Sequence, residues 1–320
     1  MSVITARGLT KTFVRNKETV EAVKGINVDV AEGELVAFLG PNGAGKSTTL
    51  RMVTSLLEPT AGTATVAGHD VAAEPALVRS RIGYIGQGNG GGHSYRVVDE
   101  LHNQGRFYGL PRTEYRRRAA DLVEALDLGG LGRRSVQSLS GGQRRRLDVA
   151  LGLMNHPALL FLDEPSTGLD PQARANLWEH IGRMRRQLDM TIVLTTHYLE
   201  EADQMAERVV VIDHGSIVAD AAPAVLKRDH AADVITLGVA GTPTEVRSAL
   251  TQDLGEVTIT DDEAGSSVVI TTSSGATRLP EAIVRLRVAG LTPTSAELST
   301  ASLDDVFLNL TGRSLREEAA

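Results

Sequence analysis

The chain has no cysteine in its 320 residues. That excludes disulfides and thiolate metal sites, and is compatible with a reducing cytosol. Aromatic residues make up only 3% of the total, with a single tryptophan, Trp178, which is expected to pack on its helix. No apolar run approaches the ~18 residues of a membrane span, and no signal-peptide pattern follows Met1, so the sequence is not expected to cross a bilayer. Excess positive charge is also lacking. Lys and Arg total 33 against 40 Asp and Glu, a net charge of −7, and nucleic acid is not an expected partner. The local exceptions, Arg116-Arg117-Arg118 and Arg144-Arg145-Arg146, fall in helical stretches and read as solvated faces. What is present, 42% hydrophobic and 23% charged residues, is the make-up of a globular protein long enough for two domains.

Five short motifs stand in a fixed order. Gly40-Pro41-Asn42-Gly43-Ala44-Gly45-Lys46-Ser47 fits the phosphate-loop pattern. The apolar run Leu35–Leu39 before it reads as a buried strand, and Thr48–Val53 after it as a helix. The glycines let backbone N–H groups approach phosphate oxygens at a helix start, where anions are favoured. In this motif Lys46 reaches the β- and γ-phosphates, and the Ser47 hydroxyl binds Mg²⁺. Gln87 follows the apolar run Ile82–Ile85. Leu139-Ser140-Gly141-Gly142-Gln143 then opens a helix, with Ser140 as N-cap and a second cluster of exposed N–H groups. A further apolar run, Leu159–Leu162, ends in Asp163-Glu164, where Pro165 stops the strand ladder; an Asp there can hold Mg²⁺ opposite Ser47. His197 closes the series after Ile192–Thr196.

This series resembles the ATP-binding subunit of ABC transporters over roughly residues 1 to 225. The resemblance implies an α/β fold, a P-loop NTPase core with an inserted helical subdomain at about 90–155. The ATP-binding domain is expected over 1–228, and the strand and helix patterns that follow read as a small α+β accessory domain over 232–320. ATP and Mg²⁺ are the implied ligands. Gly40 to Thr48 would bind nucleotide, and Ser47, Gln87 and Asp163 the metal. Lys46, Gln87, Glu164 and His197 would carry the chemistry, with Glu164 polarising the attacking water and His197 contacting the γ-phosphate. Phe13, in Leu9–Phe13 ahead of the first domain strands, matches the family's adenine platform. Ser140, Gly141, Gly142 and Gln143 would cover the nucleotide of a second subunit in a head-to-tail homodimer, with Ser166–Asp170 along the seam. The pore would belong to a separately encoded integral-membrane permease, which places the chain on the cytoplasmic face of the membrane as a peripheral protein. The loop Gly88-Asn89-Gly90-Gly91-Gly92-His93 departs from the family, whose members carry bulkier residues there. It reads as a flexible loop. A dinucleotide site at Gly86–Gly91 is rejected because no helix opens there.

Apolar strands are expected to end at Leu39, Ile85, Leu162, Thr195 and Ile212, with helical patterns between several of them. Tyr115, Ala119, Leu122, Val123 and Leu126 mark one helix face. Leu177, Ile181, Met184 and Leu188 mark another, started by Asp170-Pro171. Beyond Ala231, strands are expected at 235–239, 257–260 and 267–271, with a helix from Pro280 to Val288. Leu303, Val306, Phe307 and Leu310 form an apolar helical stripe capped by Ser302. No catalytic cluster is visible there, and a structural or regulatory role is expected. The ending Ser302–Gly312 resembles daunorubicin-resistance-type ATPases, which partner small export permeases. An exporter ATPase for drug, antibiotic or lipid-like cargo is the function this implies. The alternatives are an ABC importer subunit or a soluble ABC ATPase acting on ribosomes or DNA. A single phosphate loop, lying fewer than 100 residues from Leu139, disfavours the last.

Overall fold

In the computed structural model the described residues are 1–15, 18–88, 90–92, 94–250, 252–262 and 265–313. Two compact units divide between Ala221 and Ala222. The expected boundary at 228–232 coincides with the end of the first helix of the second unit.

The first unit runs β1 (Ser2–Arg15), β2 (Glu18–Ala31), β3 (Leu35–Leu39), α1 (Lys46–Val53), β4 (Ala61–Val66), β5 (His69–Asp70), α2 (Pro75–Arg81) and β6 (Ile82–Ile85). Helices α3 (Val97–Phe107), α4 (Arg112–Ala125) and α5 (Gly141–Gly152) follow without an intervening strand among the described residues. The unit then closes with β7 (Leu159–Asp163), α6 (Pro171–Leu188), β8 (Thr191–Thr196), α7 (Leu199–Met205), β9 (Arg208–Asp213) and β10 (Ser216–Ala221). The central sheet has the order β10-β9-β3-β8-β7-β6. Strands β9, β3, β8, β7 and β6 are parallel, and β10 pairs antiparallel with β9. Strands β3, β7 and β8 are buried at every residue, as expected of continuous apolar runs in a parallel sheet covered on both faces. A separate antiparallel sheet, β2-β1-β4-β5, shares a core with this one through Leu9, Val23, Phe38, Leu50 and Phe161.

Register brings the motifs together. Leu39 lies beside Thr196, Asp163 beside Thr195, and Ile85 beside Leu162. The loops after β3, β6, β7 and β8 therefore all leave from one edge of the sheet, the carboxyl edge where ligands bind in open α/β sheets. Two of the five expected strand ends, Leu39 and Ile85, coincide with the observed ends, and Leu162, Thr195 and Ile212 each fall one residue short.

The second unit has its own core. Strands β11 (Asp233–Ala240), β12 (Glu256–Asp262), β13 (Gly265–Thr272) and β14 (Thr292–Ser299) form an antiparallel sheet in the order β12-β13-β11-β14. Helices α9 (Pro243–Ala249) and α10 (Gly275–Val288) supply Val246, Ala282 and Leu286 to its apolar face. Helices α8 (Pro223–His230) and α11 (Leu303–Thr311) are the remaining α-helices, and Asn309 Nδ2 donates to the carbonyl of His230 at 2.8 Å.

Some expectations require correction. The helix expected from Pro280 begins at Gly275 and carries Pro280 inside it. Leu188 is 37% exposed and leaves the α6 stripe. Phe13 lies within β1 rather than ahead of the strands. The arginine runs are not uniformly solvated. Arg116 and Arg117 are exposed, but Arg118 and Arg145 are buried, because each helix turns one guanidinium inward onto backbone carbonyls. The Ser302 cap forms as expected, in a capping box with Asp305. Leu303, Val306 and Phe307 are buried, so the stripe is already used as core.

Candidate active site

The Gly40–Ser47 loop is shaped by close approach. A Cβ on Gly40 would fall 2.1 Å from the Ile212 carbonyl oxygen, and one on Gly45 would fall 2.5 Å from that of Ala22. Gly45 also has φ of 105°, a conformation side-chain-bearing residues avoid. It begins α1 with no side-chain cap, so the N–H groups of that start are not covered by a cap side chain. Lys46 is only 4% exposed and donates to the carbonyls of Gly40 at 2.6 Å and Pro41 at 2.9 Å. Its ammonium lies 3.8 Å from Glu164 Oε1. Burial pulls the Lys46 pKa down, and the charges of Glu164 and Asp163 oppose that shift.

Asp163 is fully buried at the end of β7. Its Oδ1 accepts from Ser47 Oγ and from Thr195 Oγ1, both at 2.7 Å. Ser47 Oγ also accepts from Gln87 Nε2 at 3.2 Å. Ser47, Gln87 and Asp163, far apart in sequence, thus share one hydrogen-bonded chain. Their oxygens are the hard donors Mg²⁺ prefers, and Mg²⁺ ordinarily retains water and phosphate ligands alongside one or two carboxylates. No cage of three or more His, Cys, Asp or Glu is present among the described residues. The donor set fits the metal.

Glu164 occupies the left-handed region at φ 49°, strained for a residue with a Cβ. Its backbone N–H is held by Thr195, at 3.2 Å from the carbonyl and 3.0 Å from Oγ1. His197 Nδ1 lies 3.5 Å from Glu164 Oε2, an ion pair when the imidazole is protonated, and Thr167 Oγ1 donates to the same oxygen at 3.3 Å. The neighbouring His197 is the largest influence holding the Glu164 carboxyl below its usual pKa, against burial and with help from Lys46. Lys46, Ser47, Gln87, Asp163, Glu164 and His197 therefore converge at one place.

Two expected residues stand apart from that network. Phe13 is 41% exposed, not core, with the Lys11 ammonium 5.5 Å from its ring centre. Ser140 caps α5 and forms a full capping box with Gln143, so that helix start satisfies itself within the chain. The loop after Gln87 is tied rather than free in its described part. Gly90 N–H donates to Asp148 Oδ1 at 2.9 Å, and a Cβ on Gly92 would meet Glu100 Oε1 at 2.8 Å. Asn89 and His93 lie outside the described residues.

The sequence patterns miss Thr195, Tyr84 and Arg145. Thr195 bonds both Asp163 and Glu164, and its signal is its register opposite Asp163. Tyr84 OH lies 3.5 Å from Asp163 Oδ2, and burial raises its pKa. Arg145, on α5, bonds the backbone of two of the site loops.

Known proteins share this chain's sequence and fold. Residues 23–167 match the family model described as "ABC transporter". The chain is 41% identical over 314 residues to the daunorubicin/doxorubicin resistance ATP-binding protein of Streptomyces peucetius, covering 97% of this chain and 92% of that one. It is 38% identical to the Nod factor export ATP-binding protein I of Sinorhizobium fredii, covering 91% and 82%. A bacterial ABC transporter cassette solved as a dimer superposes with a TM-score of 0.63 at 25% identity, covering 68% of this chain and 98% of that one. Likeness to an ATP-binding protein over almost the whole length of both chains, on an ATPase-cassette fold, makes this chain a member of the ABC transporter family, one of its ATP-binding, ATP-hydrolysing proteins.

Proposed function

We propose that this chain is the ATPase subunit of an ABC exporter for drug, antibiotic or lipid-like cargo, working through a separately encoded integral-membrane permease. Coverage carries the export reading. The resistance and export relatives match 97% and 91% of the chain, so the likeness extends past the cassette into the second unit. An importer subunit or a soluble non-transport ATPase is disfavoured on the same ground. Residues 1–228 act as the ATP-binding domain, with 90–155 as its helical subdomain, and 232–320 as an accessory domain without chemistry. No helix among the described residues is long and apolar enough to cross a membrane, and attachment to the cytoplasmic face through the permease follows from the reading.

Lys46 and the backbone of Gly40 to Thr48 bind the phosphates, and Phe13 offers a face on which adenine stacks, worth ~1–3 kcal/mol. Ser47, Gln87 and Asp163 would hold Mg²⁺, which would supply positive charge beside the phosphate oxygens. Glu164 and His197 orient a water for in-line attack on the γ-phosphate. The lowered Glu164 pKa keeps that carboxylate an acceptor at neutral pH. The phosphate–oxygen bond to ADP breaks as the water oxygen bonds to phosphorus, giving ADP and phosphate. Ser140, Gly141, Gly142 and Gln143 of one subunit cover the nucleotide of its homodimer partner.

The test joins purification to transport. Crosslinking and affinity purification from native membranes is expected to recover one integral permease. A strain lacking the chain is expected to accumulate more anthracycline. Unchanged accumulation across drug classes, with recovery of a solute-uptake complex instead, would reject export.

A further inference from the structure

Arg145 is 6% exposed and lies one turn inside α5, the helix that begins at Ser140. Its Nη1 donates to the Gly86 carbonyl at 2.7 Å, and its Nε to the Pro165 carbonyl at 2.6 Å. Its Nη2 reaches the carbonyls of Asp163 and Glu164, each at 3.4 Å. One guanidinium thus grips the residue before Gln87 and the residues on both sides of, and including, Glu164. The same helix holds the other side of the Gln87 loop. Asp148 lies 3.8 Å from Arg145 and accepts from Gly90 N–H at 2.9 Å. Glu164 needs such support, because its left-handed backbone is strained and persists only where surroundings fix it. A planar fork can span several carbonyls in fixed directions, whereas a lysine ammonium is a single flexible point.

We propose that Arg145, supported by Asp148, is a positioning residue for ATP hydrolysis. Its fork sets the Gln87 loop and the Glu164 turn at a fixed separation and makes both follow α5. The proposal rests on the roles given to Gln87 and Glu164 above. It assigns Arg145 no contact with nucleotide, so the effect belongs in kcat rather than in ATP affinity.

The control is Arg118 on α4. It is equally buried, at 5% exposure, and its Nε and Nη2 both donate to the Leu153 carbonyl, away from the site loops. In purified full-length protein, kcat, KM for ATP, nucleotide affinity and melting temperature are measured for Arg145→Ala, Arg145→Lys, Arg118→Ala and Glu164→Gln. Arg145→Ala is expected to lower kcat about 100-fold, the scale of an ~1 Å misplacement of catalytic groups, with ATP affinity within about threefold. Arg145→Lys keeps the charge and is expected to fold, yet to lose about tenfold in kcat because it cannot span the carbonyls. Arg118→Ala is expected to melt earlier with kcat unchanged. If Arg145→Lys folds and retains wild-type kcat, or if Arg118→Ala loses kcat in step with Arg145→Ala, the positioning role is overturned. If Glu164→Gln keeps its turnover, the active-site reading itself fails, whatever Arg145 does.

Discussion

Helices α1 and α5 both start at glycine-bearing turns, and they start differently. Helix α1 has no side-chain cap, a left-handed Gly45 and a buried Lys46 folded against the loop carbonyls. Helix α5 is capped by Ser140 and Gln143 in a closed box. The same box closes α9 through Thr242 and Glu245, and α11 through Ser302 and Asp305. By geometry the α5 start is an ordinary helix start, and the α1 start is the exceptional one. Groups from four strand ends converge on α1, and none of the hydrogen bonds at Ser140 or Gln143 reaches them. The converging groups therefore lie at α1, while the α5 start satisfies itself within the chain and serves another chain's nucleotide only in the function proposed above.

The first way to break this comparison is to remove the chemistry at α1. Glu164→Gln should leave ATP bound and lower phosphate release by about 100- to 1,000-fold, the cost of losing one essential polar group in a preorganised site. It should also hold the dimer together with ATP, seen as a shift in gel filtration. Lys46→Ala acts earlier. It removes a charged partner of the phosphates in ground and transition states alike, and should weaken nucleotide binding about 10- to 100-fold, as measured by titration with a fluorescent nucleotide.

The second unit, proposed above to carry no chemistry, supplies the contrast. Phe307 is fully buried, and Phe307→Ala should destabilise its unit by about 3–5 kcal/mol in denaturant unfolding, with ATP affinity within a few-fold. Loss of nucleotide binding by a still-folded variant would place this unit in the active site. The smallest effect separates the two capped starts. Ser140→Ala and Ser302→Ala should each cost about 1 kcal/mol of stability, because each loses an N-cap. Only Ser140→Ala should also lower turnover. Equal turnover in both would reduce α5 to the structural helix it resembles.

Much of this was legible in the sequence because parallel strands buried on both faces are written as unbroken apolar runs. Leu35–Leu39, Leu159–Leu162 and Ile192–Thr196 each end at a site residue. What stayed hidden depends on contacts between distant segments. Arg145 sits in a run of three arginines that reads as solvent-facing, and its partners are backbone carbonyls 18 to 59 residues away. Thr195 gains its role only from strand register. Strand β14 was missed because Thr-Pro-Thr-Ser-Ala-Glu-Leu-Ser is mostly exposed at the sheet edge and carries no clean alternation. The stripe of α11 was legible as apolar, but periodicity alone cannot say whether such a face meets its own chain or a partner.

In the function proposed above, a working site needs α1 of one chain and α5 of another. The absence of native cysteine makes a disulfide test clean. Differently tagged Asn42→Cys and Ser140→Cys proteins, both carrying Glu164→Gln, are mixed with ATP and Mg²⁺ and oxidised. The account predicts a disulfide joining the two tags that forms with ATP and not without it. A doubly substituted chain that crosslinks only within itself, with no link between tags in ATP, would contradict it.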